Sequence, residues 1–239
     1  MNYSKCLILD RRITNIAPME SIKKPALITF VNTYSYYKII DSNFDIERFN
    51  YIGIDGQLQV KLHNLFNINK VMRYSFDFSS YAVDFFEYCS KYKKSIALIG
   101  GTEQEIKSAV NYYNKRYNGI IINYYSSGFV TSEQKEEFIK KCINNDVDYL
   151  VVGMGTPLQE ETAIQAQNLG FDGIVFTCGG FIYQTSQKGD YYNPIIKKLN
   201  LRWLQRFVEN KTVRKRVFID YPKNIIKYLF SHLMMKIKK

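Results

Sequence analysis

Tyr149–Gln165 reads YLVVGMGTPLQEETAIQ: a short apolar run, a glycine-bearing turn, then a stretch of helix-forming residues. Strand, turn and helix in that order form the repeating unit of a parallel α/β sheet, and the turn lies where such sheets place their ligands. The turn is not a dinucleotide fingerprint. Gly153 and Gly155 fill the first two glycine positions, but Leu158 stands at the third, where close helix packing requires glycine. No Lys-Ser or Lys-Thr follows, which excludes a Walker A loop. What remains is helix-start chemistry. Thr156 is an expected N-cap, Pro157 suits the first helical position, Gln159 would complete a capping box, and Glu160 and Glu161 suit the helix dipole. Two readings stand side by side: a well-made strand-to-helix turn, and a turn that faces a ligand.

The same grammar recurs outward along the chain. Residues 25–32 (PALITFVN), 51–55 (YIGID), 95–101 (SIALIGG), 119–125 (GIIINYY) and 173–180 (GIVFTCGG) read as strands running into turns. Between them, GQLQVKLHNLF, Ser75–Tyr92, TEQEIKSAVNYYNKRY and TSEQKEEFIKKCINN read as helices, with Thr102 and Glu105 forming a candidate capping box. A helix over PLQEETAIQAQNLG ends at Gly170. Such alternation predicts an α/β fold, a Rossmann-like, largely parallel sheet flanked by helices.

The 239 residues suffice for one large domain or a domain with an appendage, and 46% hydrophobic content supports a real core. Cys6, Cys89, Cys142 and Cys178 are widely spaced, which points to structural cysteines in a reducing compartment. With His63 and His232 the only histidines, a histidine zinc site is not expected. The opening MNYSKCLILDRR lacks the apolar core of a signal peptide, and no window is long and apolar enough to read as a transmembrane helix.

Charge divides the chain. Residues 1–196 hold 20 basic and 20 acidic residues, whereas residues 197–239 hold 13 basic and two acidic, a net +11 equal to that of the whole chain. We therefore expect an α/β domain over residues 1–195 and a basic helical C-terminal appendage over 196–239 with an anionic partner. After Pro222, Ile226, Leu229, Phe230, Leu233 and Ile237 recur at helical spacing, with Lys223, Lys227, Ser231 and Lys238 opposite. This pattern suits a helix lying in an anionic membrane interface. The competing expectation is a helix that docks its apolar face on the body and leaves its lysines in water. An apolar stripe favours lipid over nucleic acid, and it also invites a homo-oligomer.

Several residues could carry chemistry. Asp55 ends a strand before Gly56, where a carboxylate could serve as general base; Asp-Gly is equally plain turn chemistry. Asp146 and Asp148 form an Asp-x-Asp pair, but at the sheet edge opposite the expected site, so they read as a helix-to-strand turn. Gly100 and Gly101, and Gly179 and Gly180, form two further glycine turns that allow close approach of an anion to a helix N-terminus. Arg202, Arg206, Arg214 and Arg216 suit phosphate recognition, or a solvated charge run.

These segments, in order, resemble the WecG/TagA/CpsF family of bacterial glycosyltransferases from about Ala26 to Arg216. LITFVNTYSY resembles its first strand and asparagine loop, and IDGQL its Asp-Gly motif. RYSFD (Arg73–Asp77) resembles its Arg-x-x-x-Asp motif, LIGGTEQE its glycine turn, and VVGMGTPLQE its Gly-x-Gly-x-Pro-x-Gln-Glu signature. CGGFI and LRWLQRF…RKR resemble the closing motifs. The resemblance implies inverting, metal-independent transfer of a sugar from a UDP-sugar to a polyprenyl-diphosphate-linked sugar, in surface polysaccharide or teichoic acid synthesis. It implies no cofactor, and a place on the cytoplasmic face of the membrane. It makes Asp55 the catalytic base, Asn32 an acceptor-side or active-site polar residue, and Gln159 a nucleotide-sugar contact. Arg206, Arg214 or Arg216 would meet the diphosphate. Arg73, Asp77, Gly100, Gly101, Gly153, Gly155, Gly179 and Gly180 join the binding set through their motifs. The chain departs from the family pattern at Gln57-Leu58, Tyr192-Asn193-Pro194, Leu201-Arg202-Trp203 and in GGFIYQTS, which lacks the usual Phe-Asp. These changes lean toward the capsule or exopolysaccharide branch and bear on the donor sugar more than on the reaction class. Two other classes fit the bare pattern: a nucleotide-dependent α/β enzyme of different chemistry, and a non-catalytic basic membrane module.

Overall fold

The structure, a computed structural model, describes residues 3–189, 196, 202–209 and 211–237. Six strands form one parallel sheet: β1 (Ala26–Val31), β2 (Tyr51–Ile54), β3 (Ser95–Gly100), β4 (Ile121–Ser126), β5 (Tyr149–Gly153) and β6 (Ile174–Thr177), in spatial order β2-β1-β6-β5-β3-β4. The central strands are apolar on both sides because helices cover both faces; all six residues of β1 and all four of β6 are buried. Alternation along β1 separates the two cores. Leu27 and Val31 enter one, Ala26, Ile28 and Phe30 the other.

The first core is closed by α1 (Tyr3–Arg12), α2 (Ser35–Ile40), α3 (Gln57–Phe66), α6 (Ser132–Asn144) and α7 (Leu158–Asn168), through residues such as Leu9, Tyr36, Leu62, Ile139 and Ala163. Helices α4 (Tyr81–Lys91), α5 (Glu103–Arg116) and α8 (Phe181–Lys188) close the second, through Phe85, Ile106 and Phe181. The neighbours β1 and β6 thus send their chains to opposite faces, β1 into α2 and β6 into α8. That divergence opens a crevice at the carboxyl ends of the strands, as expected at a topological switch point.

The fold agrees with the α/β expectation, with three local differences. The Thr102–Glu105 capping box forms, and a second joins Thr131 and Gln134. The box at Thr156–Gln159 does not: α7 begins at Leu158 after Pro157, because both side chains turn inward to Glu160. The helix expected from Ser75 begins only at Tyr81, since Asp77 captures the Ser79 backbone N–H and holds residues 75–80 in a turn. Residues 3–12, read only for their lack of signal-peptide character, form α1 and bury Cys6 and Leu9.

The C-terminal segment is helical: α9 (Arg202–Glu209), α10 (Lys211–Lys215), a π-helical turn (Arg216–Asp220) and α11 (Tyr221–Ile237). The expected boundary at residue 195 lies outside the described residues. Neither outcome expected for α11 names the surface that docks. The buried side is polar and aromatic: Asn224, Tyr228, Ser231 and His232. His232 Nε2 lies 2.6 Å from Asp10 Oδ2, and the Asn224 amide donates to the Thr33 carbonyl at 2.8 Å. Tyr36 also donates to Asp10, and the His63 ring lies 3.7 Å from it. Hydrogen-bonding groups dock the helix, so Ile226, Phe230 and Leu233 point outward, more than half exposed, as do Phe218 and Ile219 on the preceding turn. The stripe of Ile226, Phe230 and Leu233 is therefore not the docked face, although Leu229 of the same stripe and Ile225 pack against the first core.

Candidate active site

The crevice holds a cleft with a cavity volume of about 350 Å³. Its walls come from the ends of β1, β2, β5 and β6 and from the C-terminal segment. Each of these strand ends delivers residues to the lining. Asn32 follows β1, Asp55 follows β2, Gly155, Thr156 and Gln159 follow β5, and Gly179 and Gly180 follow β6.

Asp55 is fixed from both sides. Its backbone N–H donates to Val31 at 2.7 Å, extending the sheet. Its carboxylate receives Arg73 at 3.0 Å, and the same guanidinium nitrogen donates to Asp77 at 2.9 Å. Arg73 reaches this place because its segment runs beside β2, where Tyr74 N–H bonds to the Ile54 carbonyl. Asp77 also receives bonds from Ser75 and from the Ser79 backbone and hydroxyl. Burial alone would raise its carboxyl; Arg73 and the serine bonds outweigh that and hold it below the ordinary carboxylate value. Asp55 thus lines the cleft from an Asp–Arg–Asp brace. Asp77 also lines the cleft, whereas Arg73 stands behind the lining.

Asn32 lines the cleft and accepts the Tyr34 and Ser35 backbone N–H groups at 3.0 Å through Oδ1. Gln159 is almost fully buried and binds at both ends. Its oxygen accepts the Gly179 N–H at 3.0 Å, and its nitrogen donates to Glu160 at 2.8 Å. It therefore ties the β5 turn to the β6 turn. At Gly179 φ is +54°, which glycine adopts freely, and a Cβ there would meet nothing within 4 Å. That residue is required for the turn rather than for crowding.

The third glycine turn is different. A Cβ on Gly100 would lie 2.5 Å from the Gly153 carbonyl oxygen. Gly101 packs beside Glu105 and Ile182, and Gly153 beside Cys178 and Ile182. Gly100, Gly101 and Gly153 let the strand ends approach one another and do not line the cleft.

Among the tail arginines, Arg216 lines the cleft, with its guanidinium 4.2 Å from the Tyr34 ring centroid. Arg214 is exposed and outside the lining, and the Arg206 side chain lies outside the described residues. Sequence reasoning missed Lys38, whose ammonium lies 4.7 Å from the other cation's ring, Tyr34, and which also lines the cleft. Lys38 and Arg216 place two cations beside one aromatic ring at the mouth, a setting for an anion. Tyr183 and Gln184 complete the wall. Asp148, by contrast, is held at the far sheet edge by Lys24, Lys94 and Ser95.

Such a cleft offers a braced carboxylate, amide groups and a cationic mouth, which suits proton abstraction from a hydroxyl beside a phosphorylated ligand. Comparison with known proteins agrees. The model of the "Glycosyl transferase WecG/TagA/CpsF family" matches residues 7–238. A UDP-Gal:alpha-D-GlcNAc-diphosphoundecaprenol beta-1,4-galactosyltransferase of Shigella boydii is 43% identical over 216 residues, covering 90% of this chain and 91% of the relative. An N-acetylglucosaminyldiphosphoundecaprenol N-acetyl-beta-D-mannosaminyltransferase of Staphylococcus aureus (strain NCTC 8325 / PS 47) is 24% identical over 222 residues, covering 90% of this chain and 80% of the relative.

Proposed function

Because the chain belongs to the WecG/TagA/CpsF family of glycosyltransferases, we propose that its cleft moves a sugar from a UDP-sugar to a polyprenyl-diphosphate-linked N-acetylglucosamine. The observation that carries this reading is the convergence of Asp55, Asn32, Gln159 and Arg216 on one cleft from four separate segments of chain. UDP-galactose is the donor to test first, because the 43% identical relative is named for it.

The chemistry is a single displacement. The acceptor hydroxyl oxygen attacks the anomeric carbon, the bond from that carbon to the diphosphate oxygen breaks, and the hydroxyl proton passes to Asp55. One displacement inverts the anomeric centre, which is how an α-linked nucleotide sugar gives a β-linked product. The leaving diphosphate gains charge, which Arg216 and Lys38 are placed to meet. The two carboxylates lining the cleft, Asp55 and Asp77, are both engaged by Arg73, which supports a route without a metal. No helix of the described residues is long and apolar enough to cross a membrane. We assign the outward face of Phe218, Ile219, Ile226, Phe230 and Leu233, with the basic residues of the appendage, to an anionic membrane surface on the cytoplasmic side. Lipid-linked acceptor would then reach the cleft past Arg216. Transfer assays with a panel of UDP-sugars and a lipid-diphosphate-GlcNAc acceptor test the reading. UDP release that depends on the acceptor supports it, and release with no sugar transferred to lipid counts against it.

A further inference from the structure

Behind the cleft wall lies a carboxyl group that the proposed chemistry does not use. Glu160 has 0% exposure. Its Oε1 is the meeting point of three donors: Gln159 Nε2 at 2.8 Å, Thr29 Oγ1 at 2.9 Å and Thr156 Oγ1 at 3.3 Å. The Thr29 hydroxyl also lies 2.7 Å from that of Thr177. A hydroxyl has one proton, so with Thr29 donating to Glu160 it is Thr177 that donates to Thr29. Three donors therefore converge on one oxygen. The other, Oε2, is buried with no hydrogen-bond partner.

The groups facing Glu160 carry no compensating charge. They are Thr29 on β1, Thr177 on β6, Thr156 in the β5 turn and Gln159 on α7 itself. The nearby Cys178 thiol, pushed up to about 12 by burial, stays neutral. An ionised Glu160 would strand charge on an oxygen with no donor, whereas a neutral carboxyl leaves only a hydroxyl unpaired, a smaller cost. Burial raises its pKa to about 7 against the pull of the hydrogen bonds from Gln159, Thr29, its own backbone N–H and Thr156. Meanwhile Gln159, Thr156 and Thr177 line the cleft. The charge on Glu160 is therefore felt one side chain away from any ligand there.

We propose that Glu160 is a positioning residue that holds the Gln159–Gly179 wall as a neutral acid, so that a nucleoside diphosphate binding in the cleft is coupled to uptake of one proton by Glu160. The inference rests on reading the cleft as a nucleoside-diphosphate site. An anion beside the wall opposes a second negative charge behind it, and the proton comes from solvent to Oε2. Glu160 acts through Gln159 and does not touch substrate.

Titration calorimetry with UDP tests this, run between pH 6 and 8 in buffers of different ionisation heat. The native chain should take up protons at pH 8 that Glu160→Gln does not, beyond whatever UDP itself exchanges in both. Relative to that variant, native affinity should fall about tenfold from pH 6 to pH 8. Equal proton uptake and equal pH dependence in the two proteins would overturn the proposal. Failure to bind UDP at either pH would overturn the reading of the cleft as well. Infrared spectroscopy needs no variant: UDP added to the native chain at pH 8 should increase the absorption of a protonated carboxyl, and an unchanged band would also overturn the proposal.

Discussion

Asp55 is held in place by a residue 18 positions later, and the two should fail differently when changed. Asp55→Asn keeps the hydrogen-bonding shape and removes the base, so transfer should drop by about 10²–10⁴-fold while UDP still binds. Arg73→Gln also leaves Asp77 as a buried carboxylate without its cation, a loss of about 3–5 kcal/mol. Urea unfolding should show that loss for Arg73→Gln and not for Asp55→Asn. Two opposite pH dependences follow from the buried acids. Asp77 and Asp10 lie below their ordinary carboxylate value, so their stabilisation is present above about pH 4 and lost as pH falls through their lowered values. For Asp10, burial acts upward and the His232, His63 and Tyr36 bonds outweigh it. Glu160 is raised to about 7, so stability should fall by about 3 kcal/mol as pH rises from its ordinary value to 7, a slope absent in Glu160→Gln. At this scale the sequence was only partly legible. Asp55, Asn32, Gln159 and Arg216 were singled out through motifs and meet in the cleft, but Glu160 was read only as suiting the helix dipole. Its spacing to Ala163 and Ile164 puts it on the buried face of α7, a signal that was available. Lys38 stands one helical turn after Tyr34, but its place beside Arg216 gave no such signal, because it depends on the tail folding back.

The elements were read well where hydrophobic period and capping residues agreed, as in β3, α5 and α6. They were misread where a side chain was captured elsewhere, as at Thr156 and Asp77. Helix α11 shows the limit most clearly. Its periodicity marks a helix, yet the docking face was not legible, because Asn224 and His232 find their partners 191 and 222 positions away. His232→Ala should therefore cost about 1–3 kcal/mol by removing one of the groups bonded to buried Asp10 while Tyr36 remains, measured by thermal or urea unfolding. Replacing Ile226, Phe230 and Leu233 together with serine should leave stability within about 1 kcal/mol, since these side chains are more than half exposed. The same triple change should weaken sedimentation with anionic vesicles by tenfold or more, and raised salt should weaken native binding as well.

Across the whole molecule, the sheet order explains why distant motifs become one site. Asn32, Asp55, Gln159 and Gly179 follow four different strands, and divergence of the chain at β1 and β6 opens the space they share. The charge map is explained only in part by the appendage being separate. Tyr228 sits in the main core and His232 meets Asp10, so the appendage and the body stabilise one another. Removing residues 196–239 should thus lower the stability of the body as well as abolish transfer. The most direct test of the central claim is transfer of galactose from UDP-galactose to a polyprenyl-diphosphate-GlcNAc acceptor in anionic vesicles, followed for the native chain and Asp55→Asn. We predict a β-linked lipid disaccharide with native protein and at least a hundredfold slower formation with the variant. Equal turnover by the two, or UDP release with no lipid-linked disaccharide, would contradict the account.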